Sequence, residues 1–172
     1  MCTGITDDFL ESVPLFLPKL SFLDVSMSSV TSLGCCHLAR LPALREVDIS
    51  SCPGLSGQAI KALIEGKVGD INANDIDGDQ YLMERMGVIR GSATVSQLRS
   101  IAARFAKGVD ANVLDTLADS CTLPHLQTLD FRHYRGNEFK TGFLSPVKLS
   151  LRKLRQNGVD VAFSRVPGYD ES

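Results

Sequence analysis

No stretch of this 172-residue sequence reaches the ~18 consecutive apolar residues that a membrane-spanning helix needs, so direct insertion into a membrane is not expected. The first eight residues, Met1 to Asp8, show neither a basic n-region nor an apolar h-region, and an Arg-rich amphipathic presequence is missing as well. The phosphate-cradling patterns G-x-x-x-x-G-K-[ST] and G-x-G-x-x-G do not occur, so no nucleotide cofactor is expected. Strong charge of one sign is lacking too. A net charge of −2 provides no basic field to recruit nucleic acid or an anionic surface. No C-x-x-C pair exists, which argues against a zinc ribbon or a thioredoxin-like site. The five cysteines, Cys2, Cys35, Cys36, Cys52 and Cys121, are odd in number and two are adjacent. That is a poor disulfide framework and reads as reduced, buried thiols of an intracellular protein. His37, His125 and His133 have no nucleophile and acid at the spacing of a catalytic triad, so no enzyme is expected.

What is present is ordinary globular material, 44% apolar and 22% charged, enough for one domain over residues 1–172 with a soft tail at 165–172. Within it lies internal self-similarity. Leu17-Pro18-Lys19-Leu20-Ser21-Phe22-Leu23-Asp24-Val25-Ser26 aligns without gaps on Leu41-Pro42-Ala43-Leu44-Arg45-Glu46-Val47-Asp48-Ile49-Ser50. Leu123-Pro124-His125-Leu126-Gln127-Thr128-Leu129-Asp130-Phe131 aligns on both. The shared pattern is L-P-x-L-x-x-φ-D-φ, with φ apolar. Weaker copies are expected at Val68 to Asn74 and at Val159 to Phe163. Residues 75–108 read as an irregular repeat or an insertion, with a short strand near Val109.

Helical patterns alternate with these strands. Asp7 to Phe16, Gln58 to Ile64, Asn112 to Ala118 and a helix opening at Ser145-Pro146 all carry apolar stripes at helical spacing. Val95 to Phe105 is read the same way, with Leu98, Ile101, Ala102 and Phe105 on one side and Thr94-x-x-Gln97 as a capping box.

Leu44-x-x-Val47-x-Ile49-x-x-Cys52, together with the helix start Ile5-Thr6-Asp7-Asp8, resembles the cysteine-containing class of leucine-rich repeats found in F-box-linked repeat proteins. The likeness covers residues 5–74 and 109–131 best. It implies an α/β fold: a leucine-rich-repeat solenoid of four to six repeats, with a parallel sheet on the concave side and helices on the convex side. No F-box is visible. What the resemblance implies for function is non-enzymatic protein–protein interaction, as an accessory or structural subunit of a larger intracellular assembly, whether cytoplasmic, mitochondrial or axonemal. Substrate recognition within a ubiquitin ligase is the alternative.

Side chains alternate along a strand, so the residues flanking the apolar positions would face outward on the concave side. They are Phe22 and Asp24, Glu46 and Asp48, Asp70 and Asn72, and Thr128, Asp130 and Arg132. With neighbouring strands ~4.8 Å apart, Asp24 and Asp48 should sit side by side with Asn72 next to them, forming an acidic strip that suits a basic segment of a partner protein. A solenoid exposes an apolar cross-section at each end. Phe9, Leu10, Val13 and Phe16 are too apolar for a free N-terminal end, so another subunit is expected to cover that edge. Residues 73–84 approach a calcium loop, with Asp75, Asp77, Gly78 and Glu84 in place. Ala73 and Gln80 break the pattern, and no metal is expected there. Arg132-His133-Tyr134-Arg135 is one small basic–aromatic cluster, better suited to an acidic protein surface than to RNA.

Overall fold

A computed structural model of the chain describes residues 4–65, 97–107, 109–119, 123–134 and 146–165. Ten elements alternate: α1 (Asp7–Phe16), β1 (Phe22–Asp24), α2 (Ser32–Leu38), β2 (Glu46–Asp48), α3 (Gly57–Glu65), β3 (Ser100–Ala102), α4 (Ala111–Ala118), β4 (Thr128–Tyr134), α5 (Pro146–Gln156) and β5 (Asp160–Arg165). The strands form one five-stranded sheet in sequence order, and every pairing is parallel. The helices stack in the same order, α1 on α2, α2 on α3, α3 on α4 and α4 on α5. The α/β class and the parallel sheet expected from the sequence are therefore present.

Register explains why one face of the sheet is buried. Leu23, Val47, Ile101, Leu129 and Val161 lie side by side across the five strands. Four of them are buried, and Leu23 packs against the same cluster. Two residues further on, Val25, Ile49, Ala103 and Phe131 form a second buried row. Each fully buried large side chain stabilises the fold by about 1.5–3 kcal/mol, so these rows with their helical partners Leu10, Leu38, Ile60, Leu63, Leu114 and Leu154 hold sheet and helices together.

Short local motifs join the layers. Three Leu-Pro segments make tight turns closed by backbone bonds from Leu20 to Leu17 (3.0 Å), Leu44 to Leu41 (3.3 Å) and Leu126 to Leu123 (3.2 Å). Proline suits the second place of such a turn because its φ is already set. Thr31 caps α2, its hydroxyl accepting from the Leu33 N–H, and it bonds back to the Asp7 carboxylate through its own N–H (2.9 Å) and hydroxyl. Asp110 caps α4 by accepting from the Val113 N–H at 2.9 Å. Gly34 lets α1 and α2 approach: a Cβ there would lie 2.3 Å from Asp7 Oδ1 and 2.8 Å from Leu10 Cδ1.

The largest departure from the sequence reading concerns residues 95–105. Where a helix was expected, the described part carries β3. Leu98, Ile101 and Ala103 are buried, while Ala102 is half-buried and Phe105 exposed. The same residues satisfy a helical spacing and the strand pattern L-x-x-φ-x-φ. Pairing with β2 and β4 on either side decides between them, because an inner strand has its backbone groups satisfied from both neighbours. The strand within 75–108 thus lies at Ser100–Ala102, and Val109 leads into α4. The expected strand at Val68 to Asn74, with Asp70 and Asn72, lies outside the described residues, as do the loop at 73–84, Cys2, Cys121 and the tail 166–172.

Candidate functional site: the open face of the sheet

The face of the sheet away from the core is built from three rows. The first holds Phe22, Glu46, Ser100, Thr128 and Asp160, aligned by strand pairing. The second holds Asp24, Asp48, Ala102, Asp130 and Ala162. No residue of these two rows is buried. Parallel sheets are usually covered on both faces, so a parallel sheet with one open face presents a surface as well as a scaffold. Beyond the second row stand Ser26, Ser50, Arg104 and Arg132, each two residues after its row-two counterpart.

The aspartates have a local task as well as a charge. Asp24 Oδ1 accepts from the Ser26 N–H at 2.8 Å, Asp48 Oδ1 from the Ser50 N–H at 2.8 Å, and Asp130 Oδ1 from the Arg132 N–H at 3.1 Å. These Asx turns steer the chain out of β1 and β2 and, within β4, lead into the bulge between Arg132 and Tyr134. One residue later the backbone turns left-handed at Met27 (φ 56°), Ser51 (φ 59°) and His133 (φ 61°), and Phe105 (φ 63°) does the same after β3. Non-glycine residues take that region rarely, yet it recurs after β1, β2 and β3 and at the bulge inside β4. Cys52 then turns inward, its thiol donating to the Val25 carbonyl at 3.1 Å with Ser28 Oγ at 3.4 Å. The sequence likeness marked Cys52, and Ser28 holds the corresponding place one strand earlier.

Electrostatically the face differs from the acidic strip expected. The place beside Asp48 on β3 is taken by Ala102, where Asn72 was expected. Two residues past it, Arg104 spans the neighbouring strands: its guanidinium lies 2.8 Å from Asp48 Oδ2, 3.6 Å from Asp130 Oδ2 and 3.2 Å from Ser50 Oγ. Arg132 grips Asp130 through two bonds of 2.9 and 2.7 Å. Burial works to raise the Asp130 pKa, but the hydrogen bonds from Arg132 and the charges of both arginines hold it below 3.8. Asp24 is also lowered, chiefly by its hydrogen bonds to Ser26. Among the described residues, neither Asp24 nor Glu46 has a cation within ion-pair distance. The acidity therefore survives at Asp24 and Glu46 and is offset at Asp48 and Asp130.

Of the residues singled out from the sequence, Phe22, Asp24, Glu46, Asp48, Thr128, Asp130 and Arg132 come together on this face. Thr128 donates to Ser100 Oγ at 2.7 Å. The sequence reading did not place Arg104, Met27 or Phe105 on this face. The signal that could have placed Arg104 and Phe105 is the spacing Leu98-x-x-Ile101-x-Ala103, which needs no Leu-Pro start and no aspartate. Phe105 stacks on His133 with ring centroids 4.8 Å apart, and Ser51, Cys52, Pro53, Phe105 and Lys107 line a groove of about 370 Å³.

The N-terminal edge also differs in part from expectation. Leu10 and Val13 are buried, whereas Phe9, Leu15, Phe16 and Leu17 are exposed, Phe16 at 78%. On α2, Cys35, Cys36 and His37 are all buried, and the His37 Nδ1 finds no partner. Burial lowers the His37 pKa below 6.5, with Arg40 acting in the same sense, against the pull of Glu11, Asp7 and Asp8. Among the described residues no group of three or more His, Cys, Asp or Glu could hold a metal ion. No described helix is long and apolar enough to cross a membrane.

The comparisons with known proteins add nothing to this geometry: no family model matches the chain, and no curated protein matches it.

Proposed function

We propose that the chain is a leucine-rich-repeat solenoid of the cysteine-containing type that binds another protein through the open face of its sheet, serving as an accessory or structural subunit of an assembly. One observation carries the reading. Among the described residues one face of the parallel sheet is uncovered, and large apolar side chains stand exposed on and beside it, Phe22 and Met27 at 57% each and Phe105 at 39%. Three features support the repeat assignment: the recurring Leu-Pro turns, the left-handed residue at the same register after β1, β2 and β3 and inside β4, and the Cys52 thiol bonded to the Val25 carbonyl just past β1. The face holds carboxylates, hydroxyls and guanidinium groups already bonded to one another, which suits docking better than turnover.

The test is affinity purification of the tagged chain with mass spectrometry, alongside a variant carrying Met27→Ala and Phe105→Ala. A partner recovered by the native chain and lost by the double variant is the expected result. Equal recovery by both would remove the face from the interface. Recovery of ligase components alone would replace the assembly role with a ubiquitin-ligase adaptor.

A further inference from the structure

The free edge of β1 says what kind of segment should dock there. Val25 and Met27 donate to the Asp48 and Ser50 carbonyls at 2.9 Å each, and Ser21 O accepts from Glu46 N–H at 3.0 Å, so alternate residues serve β2. Phe22 and Asp24, between them, direct their N–H and C=O to the other side. Among the described residues β1 has no second neighbour. An unpaired edge is a template for another strand; Phe22 on it stands exposed, as do Phe9 and Phe16 on the preceding helix and Leu17 at its end.

Register inside the sheet supplies the chemistry. Arg104 stands two residues beyond Ala102 and reaches the carboxylates of both flanking strands, Asp48 and Asp130. Asp24 has the matching place on β1, but its own strand offers Ser26 and its inner neighbour Ser50. Among the described residues no cation lies within ion-pair distance of Asp24, and a strand added on the outer side would bring one there. We propose that the β1 edge accepts an extended segment of a partner protein with the pattern apolar-x-apolar-basic, its backbone bonding Phe22 and Asp24 and its cation pairing with Asp24. This rests on the protein-binding reading above and names the partner's chemistry. A second copy of the chain does not fit. Among the described residues its outer β5 edge, continued in the same register, would place Asp160 beside Phe22 and Ala162 beside Asp24, an acidic and an apolar residue where the site asks for a cation nearby.

The probe is a fluorescein-labelled synthetic peptide, Leu-Arg-Ser-Ile-Ala-Ala-Arg, which copies residues 98–104, and an analogue with Arg104→Glu. Fluorescence anisotropy with the whole chain at low salt should show the basic peptide binding about fivefold or more tightly than the acidic one, as a partly exposed ion pair allows. Asp24→Asn, which keeps an oxygen for the Ser26 N–H, should erase that preference, while Asp130→Asn should leave it. Equal binding of the two peptides, a preference that survives Asp24→Asn, or no binding of either would overturn the proposal. So would sedimentation that finds a dimer excluding the peptide, since the edge would then belong to a second copy. If the peptides fail while the tagged chain still loses its partner on Met27→Ala and Phe105→Ala, only this inference falls and the protein-binding reading stands.

Discussion

The two ends of the open face are built to one plan and differ in what fills it. At the β3–β4 end, the row of Ala102 and Asp130 is followed by Arg104 and Arg132, and every carboxylate there is held by a guanidinium. At the β1–β2 end, Asp24 and Asp48 are followed by Ser26 and Ser50; Asp48 borrows Arg104 from the next strand, and Asp24 has no such lender. The backbone is the same at both ends: an Asx turn at Asp24, Asp48 and Asp130, then a left-handed residue. The aspartate thus serves local geometry at all three places, while an arginine at the next register position, on its own strand or on a neighbouring one, neutralises its charge. A row of aspartates in a sequence therefore says more about backbone turns than about net surface charge.

The comparison is tested hardest by breaking the strand that separates the ends. Ile101→Ala removes a fully buried side chain at the centre of the sheet and should cost about 2–5 kcal/mol, read by denaturant unfolding. If residues 95–105 were the helix suggested by their spacing, the exposed Phe105 would share that sensitivity; Phe105→Ala should instead cost less than about 1 kcal/mol. Gly34→Ala probes the β1 end through its helices. A Cβ 2.3 Å from Asp7 Oδ1 and 2.9 Å from Val30 Cγ1 must displace those side chains and disturb the Asp7 bonds to Thr31, for a loss of about 1–3 kcal/mol in the same assay.

A smaller, pH-dependent effect comes from His37 on α2. Its folded pKa is lowered by burial, so the unfolded chain takes up a proton near pH 6.5 while the folded one does not. Stability should be full above that pH and decline as the pH falls below it, and His37→Leu should flatten that part of the profile in thermal melts. The neutral side of the face gives a smaller change again. Arg104 is 38% exposed, so solvent screens its pairs, and Arg104→Met should destabilise by only about 0.5–1 kcal/mol. The same change releases Asp48 while Arg132 still holds Asp130, which should carry the unpaired acidity of the β1–β2 end one residue further. Asp24→Asn should hardly move stability at all, because the carboxylate is exposed and its turn survives.

Much of the architecture could be read in advance because its signals are local. Leu-Pro turns fix a proline φ, alternation in Leu20 to Val25 and Leu44 to Ile49 marks half-buried strands, and the stripes of α1, α3, α4 and α5 recur at helical spacing. The candidate face was legible to the same extent: the strand periodicity alone turned Phe22, Asp24, Glu46, Asp48, Thr128 and Asp130 outward. Residues 98–105 were not legible, since Leu98, Ile101 and Phe105 suit a helix as well as a strand, and only pairing energy from two neighbours separates the two.

The sequence by itself thus determined that apolar rows alternate with polar ones, that helices and strands alternate, and that an aspartate holds the same place on β1, β2 and β4. Periodicity and turn chemistry act over a few residues, so one stretch of chain is enough to set them. Which strand lies beside β2 was decided only in three dimensions, across a separation of 54 residues between Val47 and Ile101. That choice delivered Arg104 to Asp48 and Asp130 and left Asp24 without a cation. Charge pairing depends on distance in space, which no local pattern encodes, and so the electrostatics of the face belong to the tertiary structure.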